Sequence, residues 1–158
     1  MDRKHLLVLG SLVALALALD AAAASAAPRT AALVVEHQVR GCHVWSLNGG
    51  PPRTHVVARL ARGGALKVTN DDLMAQELVE TRGPAVQMRL VRQSHMGDMP
   101  MRMGKAGPYT MGHMGATLRV TFPRAGTYRF RLVDRGDYFE GIKTVGKDNE
   151  LTLTVVVS

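Results

Sequence analysis

ATLRVTFPRAGTYRFRL, residues 116–132, is the stretch from which the fold is read. Leu118, Val120 and Phe122 alternate with Thr117, Arg119 and Thr121. After Pro123-Arg124-Ala125-Gly126 the alternation resumes, with Tyr128, Phe130 and Leu132 set against Thr127, Arg129 and Arg131. A period of two belongs to an extended strand with one face in a core and the other in water. Proline and glycine between the two runs supply the turn.

The same signature continues on both sides. LTLTVVV (151–157) puts Leu151, Leu153, Val155 and Val157 on one face. Upstream, ALVVEHQV (32–39), HVWSL (43–47), HVVARLA (55–61), ALKVT (65–69), QELVET (76–81) and AVQMRLV (85–91) are short runs of the same kind. Turn residues separate them: Asn48-Gly49-Gly50-Pro51-Pro52, Gly63-Gly64, Asn70-Asp71-Asp72 and Gly83-Pro84. No segment after the N-terminal region has a helical period. Eight or nine strands with regular turns predict an all-β, single-domain Greek-key β-sandwich with antiparallel pairing.

The N-terminus reads as an export signal. Arg3, Lys4 and His5 precede an apolar run from Leu6 to Leu19, and Ala24-Ser25-Ala26 fits an A-x-A cleavage site. The apolar run is shorter than the roughly 20 residues that span a bilayer as a helix. The expectation is a signal peptide over 1–26, a mature domain over 27–158 with no stable transmembrane segment, and a secreted or periplasmic location. No cysteine follows the expected cut, which disfavours a lipid anchor. The formal charge of +7 survives cleavage, because the leader carries two bases and two acids. Arg59, Arg119, Arg129 and Arg131 fall at alternating strand positions, as solvated residues do. No basic run interleaved with aromatics is present, so nucleic acid is not an expected partner. An anionic cell-envelope polymer is a weaker expectation. A single cysteine, Cys42, excludes a disulfide within the monomer.

The exception to the strand pattern is residues 93–115. From Met96 to Met114 this loop holds six methionines among glycines, prolines and charges, with no Leu, Ile or Val between 95 and 115. A thioether is a soft, neutral donor suited to Cu(I), and it needs no deprotonation. Met99, Met101 and Met103 are spaced to present three sulfurs on one side of an extended segment. His95-Met96 and Met111 with His113-Met114 add imidazoles and further sulfurs. The competing readings are flexible gap-filling in packing, an adaptable sticky surface, and sacrificial oxidation. His43 shares a strand face with Trp45 and Leu47 and points inward, as a hydrogen-bonded core residue or as an inner ligand. Gln76 shares a face with Leu78, and its amide is expected to be satisfied on burial, with its carbonyl oxygen a weak donor at most. His37 and His55 have no partners at a telling spacing.

The order of these segments resembles the cupredoxins, the copper-binding β-sandwiches of the plastocyanin and azurin type. KVTNDDLMAQELVE (67–80) is similar to their N-x-D-x-x-x-H segment, and FPRAGTYRFRL (122–132) to their F-x-x-x-G-x-Y-x-F-x-C segment. Gln76 stands where the first histidine ligand would be, and Leu132 where the thiolate would be. The usual blue-copper centre needs that thiolate. A closer resemblance is to secreted cupredoxin-like proteins, carried by His113-Met114-Gly115, Asp137-Tyr138, Gly141, Lys143-Thr144, Gly146, Asp148-Asn149 and the Cys42–Gly49 segment. It implies a sandwich that binds metal through other ligands.

No nucleophile elbow, zinc-protease helix, paired-cysteine motif or phosphate loop occurs. Asp134, Asp137 and Glu140, alongside Arg131 and Arg135, read as solvated turn charges. The chain is therefore expected not to be an enzyme. The sequence predicts an exported protein that sequesters or delivers Cu(I), with Met96, Met99, Met101, Met103, Met111, Met114, His95, His113 and His43 as donors. The alternative is a metal-free module that binds a protein or anionic envelope partner. Electron transfer is a third reading, for which Cys42 is the lone thiolate source.

Overall fold

The computed structural model describes residues 26–37, 43–72, 74–92, 102–103, 107–134, 136–137 and 151–158. The expected signal peptide lies outside them except for Ala26, as does much of the methionine loop. Among the described residues there is no helix, and so none long and apolar enough to cross a membrane.

The strands are β1 (Thr30–His37), β2 (His43–Leu47), β3 (His55–Leu60), β4 (Ala65–Asp71), β5 (Gln76–Arg82), β6 (Gln87–Arg92), β7 (Arg102–Met103), β8 (Thr110–Met111), β9 (Thr117–Thr121), β10 (Gly126–Asp134), β11 (Gly136–Asp137) and β12 (Thr152–Val157). Two five-stranded sheets, ordered β2-β1-β4-β9-β6 and β3-β12-β10-β5-β8, form the sandwich, and β7 pairs with β11 separately. The period-two residues do what their spacing requires. Leu118, Val120, Phe122, Tyr128, Phe130, Leu132, Leu151, Leu153, Val155 and Val157 are all buried in one core with Trp45. Phe122 packs edge-on to Tyr128 and Phe130, with centroids 4.9 and 6.2 Å away, a favoured aromatic geometry.

Between the quoted strands, Gly126 has φ +148°, and a Cβ there would sit 3.2 Å from Pro84 Cγ. Two residues on, the Tyr128 hydroxyl donates to the Arg124 carbonyl at 2.6 Å and ties the turn to the core. Asn48 and Gly49, with φ 52° and 70°, form the tight turn after β2, where positive φ favours these residue types.

The expected antiparallel pairing needs correction, because both sheets are mixed. β1 runs parallel to β4, and β3 parallel to β12. After β2 the chain lays β3 into the second sheet and returns to the first as β4, beside β1 and in the same direction. A parallel neighbour requires such a crossover, and side-chain alternation carries no trace of it. Within the methionine loop, one expected donor follows the packing reading instead. Met111 is fully buried in the core, on β8 opposite Gln76.

Candidate metal centre

The crossover decides what meets at one end of the sandwich. Antiparallel β1 and β2 place His37 opposite His43. Parallel β1 and β4 place Glu36 beside Asp71, so the following residues, His37 and Asp72, emerge at the same end. The chain then crosses to the second sheet and starts β5 with Gln76, which is paired with Met111.

Four polar side chains converge there. His43 Nε2 lies 2.5 Å from Asp72 Oδ2, with both side chains almost wholly buried. His37, about half exposed, brings Nδ1 to 3.7 Å from Asp72 Oδ1. The two imidazoles meet edge to face, with centroids 5.8 Å apart. Gln76 Nε2 sits 3.2 Å from His43 Nε2 and 3.5 Å from Asp72 Oδ2. One ligand atom from each of His37, His43 and Asp72 falls within 4.8 Å of the others. His37 forms the solvent side of the group, and the other three residues form its floor.

Asn70 fixes the carboxylate. Its Oδ1 accepts the Asp72 amide at 3.1 Å, and its Nδ2 donates to the carbonyls of Met74 at 2.8 Å and Met111 at 3.1 Å. Asp72 Oδ1 in turn accepts the Met74 amide at 3.2 Å. Farther along, Gly115 N donates to the Asn70 carbonyl at 2.6 Å. The C-terminal end of the methionine loop is thereby bonded to the residue that orients Asp72.

Burial by itself would raise the Asp72 carboxyl pKa. The hydrogen bond and charge of His43, the Met74 N–H and the charge of His37 outweigh it and hold the group below its ordinary 3.8. The carboxylate is therefore ionised at neutral pH and available as a hard oxygen donor beside two imidazoles. Gln76 is the unsettled member. It is wholly buried, and its Oε1 has no hydrogen-bond partner. Its Nε2 faces His43 Nε2, the nitrogen that also lies against Asp72 Oδ2. An unpartnered carbonyl oxygen within a histidine–carboxylate cluster costs free energy, and a cation would relieve that cost.

Of the donors expected from sequence, His43 lies in the cluster and inward, as its strand face required. Met111 lies in the core beside Gln76, while His113 and Met114 are half-buried in the turn before β9. Met103 is on β7, described as backbone. His95, Met96, Met99 and Met101 lie outside the described residues, as does Cys42. Sequence reasoning passed over His37 and Asp72. For Asp72 a signal existed in the spacing Asn70-x-Asp72-x-x-x-Gln76. For His37 there was none, because its approach depends on the β1–β4 pairing.

No family model matches the chain, and no curated protein matches it by sequence. Solved structures similar to it include the cysteine protease inhibitor EhICP2 from Entamoeba histolytica, at 14% identity and TM-score 0.38, covering 66% of this chain and 86% of that one. They also include two multicopper oxidases. The one from Pediococcus acidilactici is 12% identical at TM-score 0.38, covering 99% of this chain and 31% of that one. The other, Fet3p, which functions in iron import, is 10% identical at TM-score 0.32, covering 81% and 30%. The chain thus spans about a third of either oxidase. None of these TM-scores reaches 0.5, so the chemistry of the site rests on this chain's own residues.

Proposed function

We propose that the protein binds a copper ion at this end of the sandwich and serves, after export, in copper sequestration or delivery. The observation that carries the reading is the convergence of His37, His43 and Asp72 ligand atoms within 4.8 Å. Two imidazoles and a carboxylate suit Cu(II) and other borderline divalent ions, and thioethers suit Cu(I). The described end of the methionine loop, Met111 to Gly115, is hydrogen-bonded to the Asn70 hub behind Asp72. Both donor types therefore have reason to serve one ion. His43 would ligate through Nε2 and Asp72 through its carboxylate, with His37 closing the solvent side. Gln76 would turn its unpartnered oxygen toward the cation. Met99, Met101, Met103 and Met114 would supply the softer donors. Blue-copper electron transfer finds no support, because Leu132 occupies a core position on β10 where a thiolate would be needed.

The test is a competition titration of the purified protein against chromophoric chelators for Cu(II) and for Cu(I). The expected result is uptake of one equivalent. His43→Ala should weaken Cu(II) uptake at least 100-fold. Replacing Met99, Met101 and Met103 with leucine should weaken Cu(I) uptake selectively. Failure to compete for either ion would overturn the reading.

A further inference from the structure

The arginines that look scattered in sequence are not scattered on the first sheet. Lys67 on β4 pairs across with Arg119 on β9, and Arg119 pairs with Arg89 on β6. All three are exposed, and they alternate with Leu66, Val68, Leu118 and Val120, which are buried, and with Met88 and Leu90, which pack on the core. Their side chains therefore stand in one row on the outer face, over three strands and about 10 Å. A bulge sets a fourth exposed cation, Arg92, opposite Thr117, diagonal to Arg119.

Like charges directly opposite in a sheet destabilise it. Among the described residues, neither of the ion pairs at the His43 cluster involves Lys67, Arg119 or Arg89, so they do not offset the repulsion here. The carboxylates that this face does carry among the described residues, Glu36 and Asp71, sit at the metal end. Asp71 is four residues, about 13 Å, along β4 from Lys67. Polar groups flank the row: Thr121 and the exposed Gln87 on one side, and on the other half-buried Thr69, whose hydroxyl lies 3.5 Å from that of buried Thr117. The strands of this face carry no outward aromatic residue on which a nucleic-acid base could stack.

The geometry points to a docking surface for a linear acidic polysaccharide on the outer face of β4, β9 and β6. Lys67, Arg119 and Arg89 engage its successive anionic groups, and Gln87, Thr69 and Thr121 meet its hydroxyls. The charge complementarity runs across the strands in one line, which fits a chain of repeating anions better than a single small ion. This surface lies apart from the His43 cluster and does not depend on copper binding.

The test is fluorescence anisotropy with a labelled polygalacturonate oligomer. Binding should weaken with salt, with a slope of log K against log salt of about −2 to −3, as three released counterions require. Lys67→Gln, Arg89→Gln and Arg119→Gln together should weaken binding at least 10-fold while leaving the melting temperature unchanged or higher. The control Arg59→Gln, Arg129→Gln and Arg131→Gln, which removes the same charge from the second sheet, should weaken it less than 3-fold. Three results would overturn the proposal: no binding by the unaltered protein, equal losses in both triple variants, or row-dependent binding at least as tight to an oligo(dT) strand or to phosphatidylglycerol vesicles.

Discussion

At the strand ends of the first sheet, His43 and Asp72 are buried and bonded to each other; in the middle of the same sheet, Lys67, Arg119 and Arg89 stand side by side in water with no opposing charge. The contrast follows from solvent. An ionised group taken out of water must find a partner, because an uncompensated buried charge costs several kcal/mol. An exposed cation keeps its hydration, so repulsion between neighbours costs only tenths of a kcal/mol. The buried group therefore specifies geometry narrowly, down to which oxygen faces which nitrogen. The exposed row specifies only a line of charge.

Three measurements would break or sharpen that contrast. The largest effect is expected from Asp72→Ala, which strands His43 Nε2 in the core and removes the acceptor for the Met74 amide. It should cost about 2–4 kcal/mol in urea unfolding. A loss below 1 kcal/mol would mean that the cluster contributes little to the fold. Next is acidity. The folded carboxyl of Asp72 titrates below its ordinary value, so the unfolded state binds a proton more readily. Its stabilising contribution is complete above the unfolded carboxyl pKa, near 3.9, and is lost as pH falls through the lower folded value. The urea midpoint should fall between pH 5 and pH 3, and Asp72→Asn should flatten that decline. An unchanged acid limb in Asp72→Asn would remove Asp72 as its source. The smallest effect belongs to the row. Arg119→Thr deletes its central charge and should raise stability by about 0.5 kcal/mol, visible as a higher melting temperature. A lower one would show that the arginine stem packs on the sheet.

The strands were legible wherever one face is buried, as at Leu118–Phe122 and Tyr128–Leu132, because burial imposes the period. Pairing direction was not legible, since β1 and β4 alternate identically whether parallel or antiparallel. His37 was lost with it: its link to Asp72 exists only once Glu36 is set beside Asp71. The cation row was hidden for a related reason. Lys67, Arg89 and Arg119 are far apart in the chain, and only the registers of β4, β9 and β6 align them. Met111 misled because β8 has only two residues, too few to show a period, while its glycine-rich surroundings read as open loop. His43 was legible, since a strand residue two positions from Trp45 on the same face has to point inward.

The protein's sole tryptophan, Trp45, is fully buried on that face, two residues and about 7 Å along β2 from His43. Its indole nitrogen has no hydrogen-bond partner. The fold has thereby placed one indole in a dry setting within energy-transfer range of the proposed copper site. Its emission should be blue-shifted and intense in the metal-free protein. A paramagnetic ion held by His43 would darken it, giving the molecule an intrinsic optical gauge of how full its own site is.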